Sequence, residues 1–143
     1  MIAYADTAFL VSLFGRDANS PVARQLASSQ PAFLLTPLGE SEFVNAVRSL
    51  VFRNYWLRSE ASAVIDKFLQ QLGTGVFRAV PFASEMWEKA PELSRLYTAT
   101  IGTRTLDVLH VAAALLLKPD VFFTFDKRQA KLARALRLKV API

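Results

Sequence analysis

Short apolar runs alternate with segments of helical periodicity along the chain. Residues 2–5 form an apolar run ended by Asp6-Thr7, after which Phe9, Leu10, Leu13 and Phe14 recur at helical spacing. A polar turn through Gly15 and Asp17-Ala18-Asn19-Ser20 leads to Pro21, whose fixed φ and missing N–H suit the first turn of a second helix. Phe33-Leu34-Leu35 predicts a buried strand, and Thr36-Pro37 caps and opens a long helix. On that helix Leu38, Phe43, Ala46, Val47, Leu50 and Val51 follow one face, which puts Glu42 near the apolar seam and Glu40 around to one side. A further helix is predicted over 59–72, with Ala61, Val64, Ile65, Phe68 and Leu69 inward and Gly73-Thr74-Gly75 as its stop.

The second half repeats the alternation. Residues 76–80 read as a strand closed by Pro81, and 84–100 as a helix that Pro91 kinks or splits by removing a backbone donor. An apolar helix is predicted over 106–117, and 121–125 carries the strongest strand signal in the chain, ended by Asp126. A basic helix over 127–136 and a short edge strand over 138–140 complete the pattern, which contains no internal repeat. Strands and helices in this order argue for an α/β sandwich around a largely parallel sheet. Ligands bind such sheets beyond the carboxyl ends of the strands, where Asp6 and Asp126 both lie.

Composition narrows the chemistry. With 143 residues, 52% hydrophobic and 20% charged, the chain is long and apolar enough to bury one domain-sized core. Its longest charge-free apolar helical segment, 108–117, is ten residues, about half of a bilayer span. No basic segment precedes an apolar stretch at the start, so a cytoplasmic protein without a signal peptide is expected. There is no cysteine and a single histidine, His110, which excludes disulfides, thiolate catalysis and multi-histidine metal sites within one chain. Any metal must be held by oxygen. A net charge of +5 and a pI near 9.9 make nucleic acid a natural partner.

Four of the twelve acids, Asp6, Glu42, Asp107 and Asp126, stand at junctions between apolar segments. Carboxylates about 4 Å apart repel by roughly 4 kcal/mol at an effective dielectric near 20, so a cluster of them calls for a cation or a shared proton. An all-oxygen acidic site suits Mg²⁺ or Mn²⁺, completed by water and substrate phosphate, and that chemistry needs neither cysteine nor histidine. Spacing alone does not establish that the acids meet. Asp6 and Asp126 also suit helix caps, Glu42 an ordinary helix surface, and Asp107 the first turn of a helix, where the macrodipole favours any anion.

Four stretches carry a resemblance: Tyr4-Ala5-Asp6-Thr7-Ala8, the segment 35–47 around Glu42, the segment 102–115 around Asp107, and Phe123-Thr124-Phe125-Asp126-Lys127-Arg128-Gln129. Together, in this order and over nearly the whole chain, the sequence resembles the PIN-domain family, and within it the VapC-like toxins of toxin-antitoxin pairs. The resemblance implies a single PIN domain over 1–143, a three-layer α/β/α sandwich whose five-stranded, mainly parallel sheet has its first and fourth strands side by side at the middle. It further implies a Mg²⁺- or Mn²⁺-dependent endoribonuclease, with Asp6, Glu42, Asp107 and Asp126 as catalytic, metal-holding acids, Asp6 and Asp107 nearest the ion. Glu40 competes with Glu42, which is preferred because Phe43-Val44 and Asn45 follow it as the family pattern does. A cognate antitoxin, a homodimer and single-stranded or loop RNA are the implied partners.

The neighbours of these acids have two readings each. Thr7 and Thr124 could hydrogen-bond the carboxylates or simply cap and pack; Asn45 could support Glu42. His110, one turn after Asp107, reads as a packed, hydrogen-bonded histidine in preference to a catalytic base. Arg104, Lys127, Arg128, Lys131 and Arg134 could line a phosphate-binding rim, the last four equally a solvated helix face. Phe52, Tyr55 and Trp56, beside Arg48, Arg53 and Arg58, suggest an interaction surface, although Phe52 fits the folding core better. Competing functions are a PIN nuclease of RNA processing without an antitoxin, and a non-catalytic RNA-binding or regulatory module. An aspartyl phosphatase is disfavoured because Ala8, not a second acid, stands two residues after Asp6.

Overall fold

The computed structural model describes residues 1–29 and 32–142. Strand β1 (Ile2–Ala5) is followed by α1 (Thr7–Phe14), α2 (Ser20–Ala27), β2 (Ala32–Leu35), α3 (Pro37–Phe52), α4 (Arg58–Gln70) and β3 (Phe77–Ala79). Then come α5 (Ser84–Leu93), a π-helical turn (Ser94–Thr98), α6 (Ala99–Ile101), α7 (Thr105–Leu117), β4 (Val121–Phe123), α8 (Lys127–Ala135) and β5 (Val140–Ala141). All five strands are parallel in the order β3-β2-β1-β4-β5, with β1 and β4 adjacent in the middle.

The period of two along the central strands sorts side chains into two cores. Ala3, Ala5, Phe33, Leu35, Val121 and Phe123 face α1 to α4, while Tyr4, Leu34 and Phe122 face α5, α7 and α8. Aromatic stacking knits each layer, with Phe43 on Phe68 at 4.1 Å between centroids, Phe9 on Phe123 at 4.7 Å and Tyr4 on Phe122 at 5.5 Å. Among the described residues no helix is long and apolar enough to cross a membrane.

Several element boundaries depart from the sequence pattern. The helix expected to split at Pro91 continues through it, because Met86, Ala90 and Leu93 on its opposite face are buried against α7; the irregularity is the π turn that follows. The strand expected over 121–125 pairs only to Phe123. Thr124 still donates its N–H to the Ala141 carbonyl at 3.1 Å, and its hydroxyl then accepts from the Asp126 N–H at 2.9 Å, turning the chain into α8. The last strand starts at Val140, two residues late, because Leu138 donates back to the Ala133 carbonyl at the end of α8. Phe52 is not core but 87% exposed: the buried face of α3 ends with Val47, Leu50 and Val51, and the next position rotates out. Trp56 packs inward instead, so close to Gly15 that a Cβ there would lie 2.4 Å from its ring.

Candidate active site

Strand order reverses at β1 and β4, and the chain leaves the carboxyl ends of both strands there, opening a crevice. A cleft of about 490 Å³ occupies this edge, and Asp6, Glu42, Asp107 and Asp126 all line it. Glu40 does not; it faces a separate hollow beside Phe77 and Val80. The cleft therefore separates the two competing glutamates.

Asp6 is buried at 4% exposure between β1 and α1. One carboxylate oxygen caps α1 by accepting from the Phe9 N–H at 2.8 Å, and the other accepts from the Thr124 hydroxyl at 2.5 Å. Its own N–H continues the sheet ladder to the Phe123 carbonyl at 3.0 Å. Burial pushes its pKa up to about 6 despite those two donors. An acid held this way gains most from a nearby positive charge.

Glu42 projects from α3 on the opposite wall. Partial burial works against its charge, but the hydrogen bond from His110 and the field of Arg104 outweigh that and hold its carboxyl below the usual value. His110 Nε2 lies 3.2 Å from Oε1, whereas Oε2 is buried with no partner among the described residues.

Asp107 occupies the first turn of α7, where the helix dipole favours an anion. It accepts from the Arg104 Nε at 3.2 Å and lies 3.5 Å from the Gln129 side-chain amide. Asp126 caps α8 by accepting from the N–H groups of Arg128 and Gln129 at 2.8 and 2.9 Å, and its other oxygen lies 3.9 Å from Arg104. The capping role and the place in the cleft thus coincide for both Asp6 and Asp126. Arg104 is raised above its ordinary pKa, first by the hydrogen bond and charge of Asp107, then by Asp126 and Glu42. It is a permanent cation facing three of the four acids.

Among the described residues no three acids converge closely enough to enclose an ion by themselves. The donor set nevertheless fits a hydrated hard cation. Mg²⁺ keeps several waters and takes one or two carboxylates directly, and two buried oxygens of residues lining the cleft, Glu42 Oε2 and Gln129 Oε1, lack donors that such waters would supply.

Thr124 and Thr7 sit beside the acids as hydrogen-bonding side chains, while Asn45 lines the cleft from an exposed position. Of the five basic residues proposed as a rim, only Arg104 lines the cleft; Lys127, Arg128, Lys131 and Arg134 are on the exposed face of α8. Arg53 supplies a second cation from the end of α3. Gln129 carried no assigned role in the sequence. Its signal was a polar residue three after the Asp126 cap, the place of a capping-box partner, on a face shared with Leu132 and Ala133. The amide turns to Asp107 instead.

The family model of the PIN domain matches residues 3–135, from the first strand to the last helix. The chain belongs to the PIN-domain family. No functionally curated protein matches its sequence. Among solved structures, this PIN domain is similar to Mycobacterium tuberculosis VapC20, a toxin that cleaves the sarcin-ricin loop, with TM-score 0.71, 18% identity and coverage of 90% of this chain and 93% of that one. It is similar to FitAcB from Neisseria gonorrhoeae, with TM-score 0.67, 21% identity and coverage of 98% and 96%. VapBC2 from Rickettsia felis, solved on a DNA fragment from its promoter, gives TM-score 0.65, 17% identity and coverage of 98% and 97%. At these identities the likeness establishes the fold, and chemistry has to be argued from the cleft.

Proposed function

We propose that this PIN domain is a Mg²⁺- or Mn²⁺-dependent endoribonuclease and the toxin of a type II toxin-antitoxin pair. The observation that carries the reading is the placement of Asp6, Glu42, Asp107 and Asp126 around one cleft at the switch point of a parallel sheet. Likeness to VapC20, FitAcB and VapBC2 supports the toxin assignment and a cognate antitoxin as partner.

Asp6 and Asp107 would hold the cation most closely, with Glu42 and Asp126 completing the set of acids around it. A divalent ion bound there polarises a phosphoryl oxygen and lowers the pKa of water. Asp6 cannot rotate away, because the Phe9 N–H and the Thr124 hydroxyl fix both of its oxygens. Glu42, kept ionised by His110 and the field of Arg104, is the group able to take a proton from attacking water. Arg104 is exposed at the rim and long enough to turn from Asp107 towards a phosphate, leaving that carboxylate to the ion. Hydrolysis would leave 5′-phosphate and 3′-hydroxyl ends. Single-stranded or loop RNA is the substrate class that fits, because a base can be presented there without opening a duplex.

Purified protein incubated with mixed RNA should cleave it with Mg²⁺ or Mn²⁺ and not with EDTA, and Asp107→Asn should be inactive at an unchanged melting temperature. Cleavage that survives EDTA, or full activity of Asp107→Asn, defeats the assignment. Metal-independent RNA binding without cleavage would instead establish a non-catalytic RNA-binding module.

A further inference from the structure

The acids do not explain why the only histidine of the chain is 1% exposed at the edge of their cleft. His110 lies on α7, on one face of the sheet, and Glu42 on α3, on the other, and the imidazole reaches across the end of β1 between them. Its Nε2 is 3.2 Å from Glu42 Oε1 and its Nδ1 is 2.7 Å from the Tyr4 hydroxyl. Thr7 Oγ1 stands 3.4 Å from the same Nε2.

Hydrogen-bond logic orients this chain. An ionised carboxylate only accepts, so the proton between His110 and Glu42 sits on Nε2. In a neutral ring Nδ1 is then an acceptor, and Tyr4 must donate to it. Tyr4 can do so: burial pushes its hydroxyl well above the ordinary value, keeping it protonated. Donation therefore runs from Tyr4 through His110 to Glu42. Each bond polarises the next. Tyr4 is itself buried and stacked on Phe122 at 8° between ring planes.

We infer that Tyr4 and His110 are positioning residues: together they lock the Nε2–H tautomer, engage Oε1 of Glu42, and leave Oε2 as the oxygen offered to a cation in the cleft. The inference rests on the metal-dependent reading proposed above. It assigns the buried, partnerless Oε2 a purpose, since an acceptor of that kind is costly unless something in the cleft donates to it or binds it. A carboxylate freed from His110 would lose its fixed rotamer, and losing such a partner behind a metal ligand typically costs about tenfold or more in metal affinity.

The test uses Mn²⁺ binding to the RNA-free protein, followed by electron paramagnetic resonance, together with ¹⁵N NMR of His110. Glutamine can place its amide N–H₂ near the position of Nε2, whereas asparagine is too short to reach Glu42. His110→Gln should therefore stay within about threefold of wild type in Mn²⁺ affinity, while His110→Asn should bind about tenfold more weakly or worse at a similar melting temperature. Tyr4→Phe, which keeps the ring on Phe122, should also weaken Mn²⁺ binding, and wild-type His110 should show the Nε2–H tautomer with or without metal. Equal losses in the glutamine and asparagine variants would reduce His110 to a packing residue, and wild-type affinity in His110→Asn or Tyr4→Phe, or an Nδ1–H tautomer, would overturn the inference. Should the wild type take up no Mn²⁺ while Asp107→Asn behaves identically, the metal reading fails and takes the inference with it.

Discussion

Replacing Asp6 by Asn is expected to stabilise the metal-free protein while abolishing its activity. Asp6 is buried, and its pKa rises from 3.8 to about 6, mainly through lost hydration. A folded-state value above the unfolded one means that the native state holds a proton the unfolded chain has already released. Stability from the protonated carboxyl is complete below about pH 3.8 and is lost as pH rises through about 6. At about pH 7.5 the charged group costs ~3 kcal/mol, taking 1.36 kcal/mol for each pH unit between the two values. Asparagine never ionises, its oxygen still accepts from the Phe9 N–H, and its amide N–H can donate to the Thr124 hydroxyl. Urea melts in EDTA should therefore show Asp6→Asn more stable than wild type by ~2–3 kcal/mol at about pH 7.5, with the advantage shrinking towards pH 4. Mg²⁺ should stabilise wild type and leave the variant unmoved. A variant no more stable than wild type in EDTA, or an advantage that does not change with pH, would refute the argument that Asp6 is held charged at a cost the cation offsets.

Arg104→Ala should weaken RNA binding and lower the slope of log K against log salt by about one, measured by fluorescence anisotropy over a salt series, because one phosphate-directed cation is lost from the cleft. Gly15→Ala should destabilise the fold by ~1–3 kcal/mol, since the added methyl meets the Trp56 ring and the Val11 carbonyl; thermal melts would measure the loss and tryptophan fluorescence would report the displaced ring. Phe68→Ala should cost ~3–5 kcal/mol in urea unfolding, because this side chain is wholly buried among Phe14, Phe43 and Phe77.

The site is economical with its residues. Asp6 and Asp126 each follow a strand, cap the next helix and face the cleft, so the crevice is built from groups the fold already needs at its strand-to-helix junctions. That arrangement also explains why their removal as charges need not unfold the protein: asparagine caps a helix about as well as aspartate.

Local pattern sufficed for much of the architecture. Period-two and helical spacing located the strands and main helices, and the alternation of the two implied a parallel sheet, because each segment's burial requirement is written in its own neighbours. The acids at the strand ends were legible for the same reason. Other features depend on residues far apart in sequence, and only tertiary packing decided them. Pro91 is bridged because α7 holds the far side of its helix, and Trp56, not Phe52, packs inward against Gly15. Glu42 is separated from Glu40 by the turn of α3 over the cleft, Gln129 swings to Asp107, and Tyr4, His110 and Glu42 meet across 106 and 68 residues of chain. Hydrogen bonds of that span exist only once both cores have closed on the sheet, since no local periodicity encodes which distant donor a buried acceptor will find.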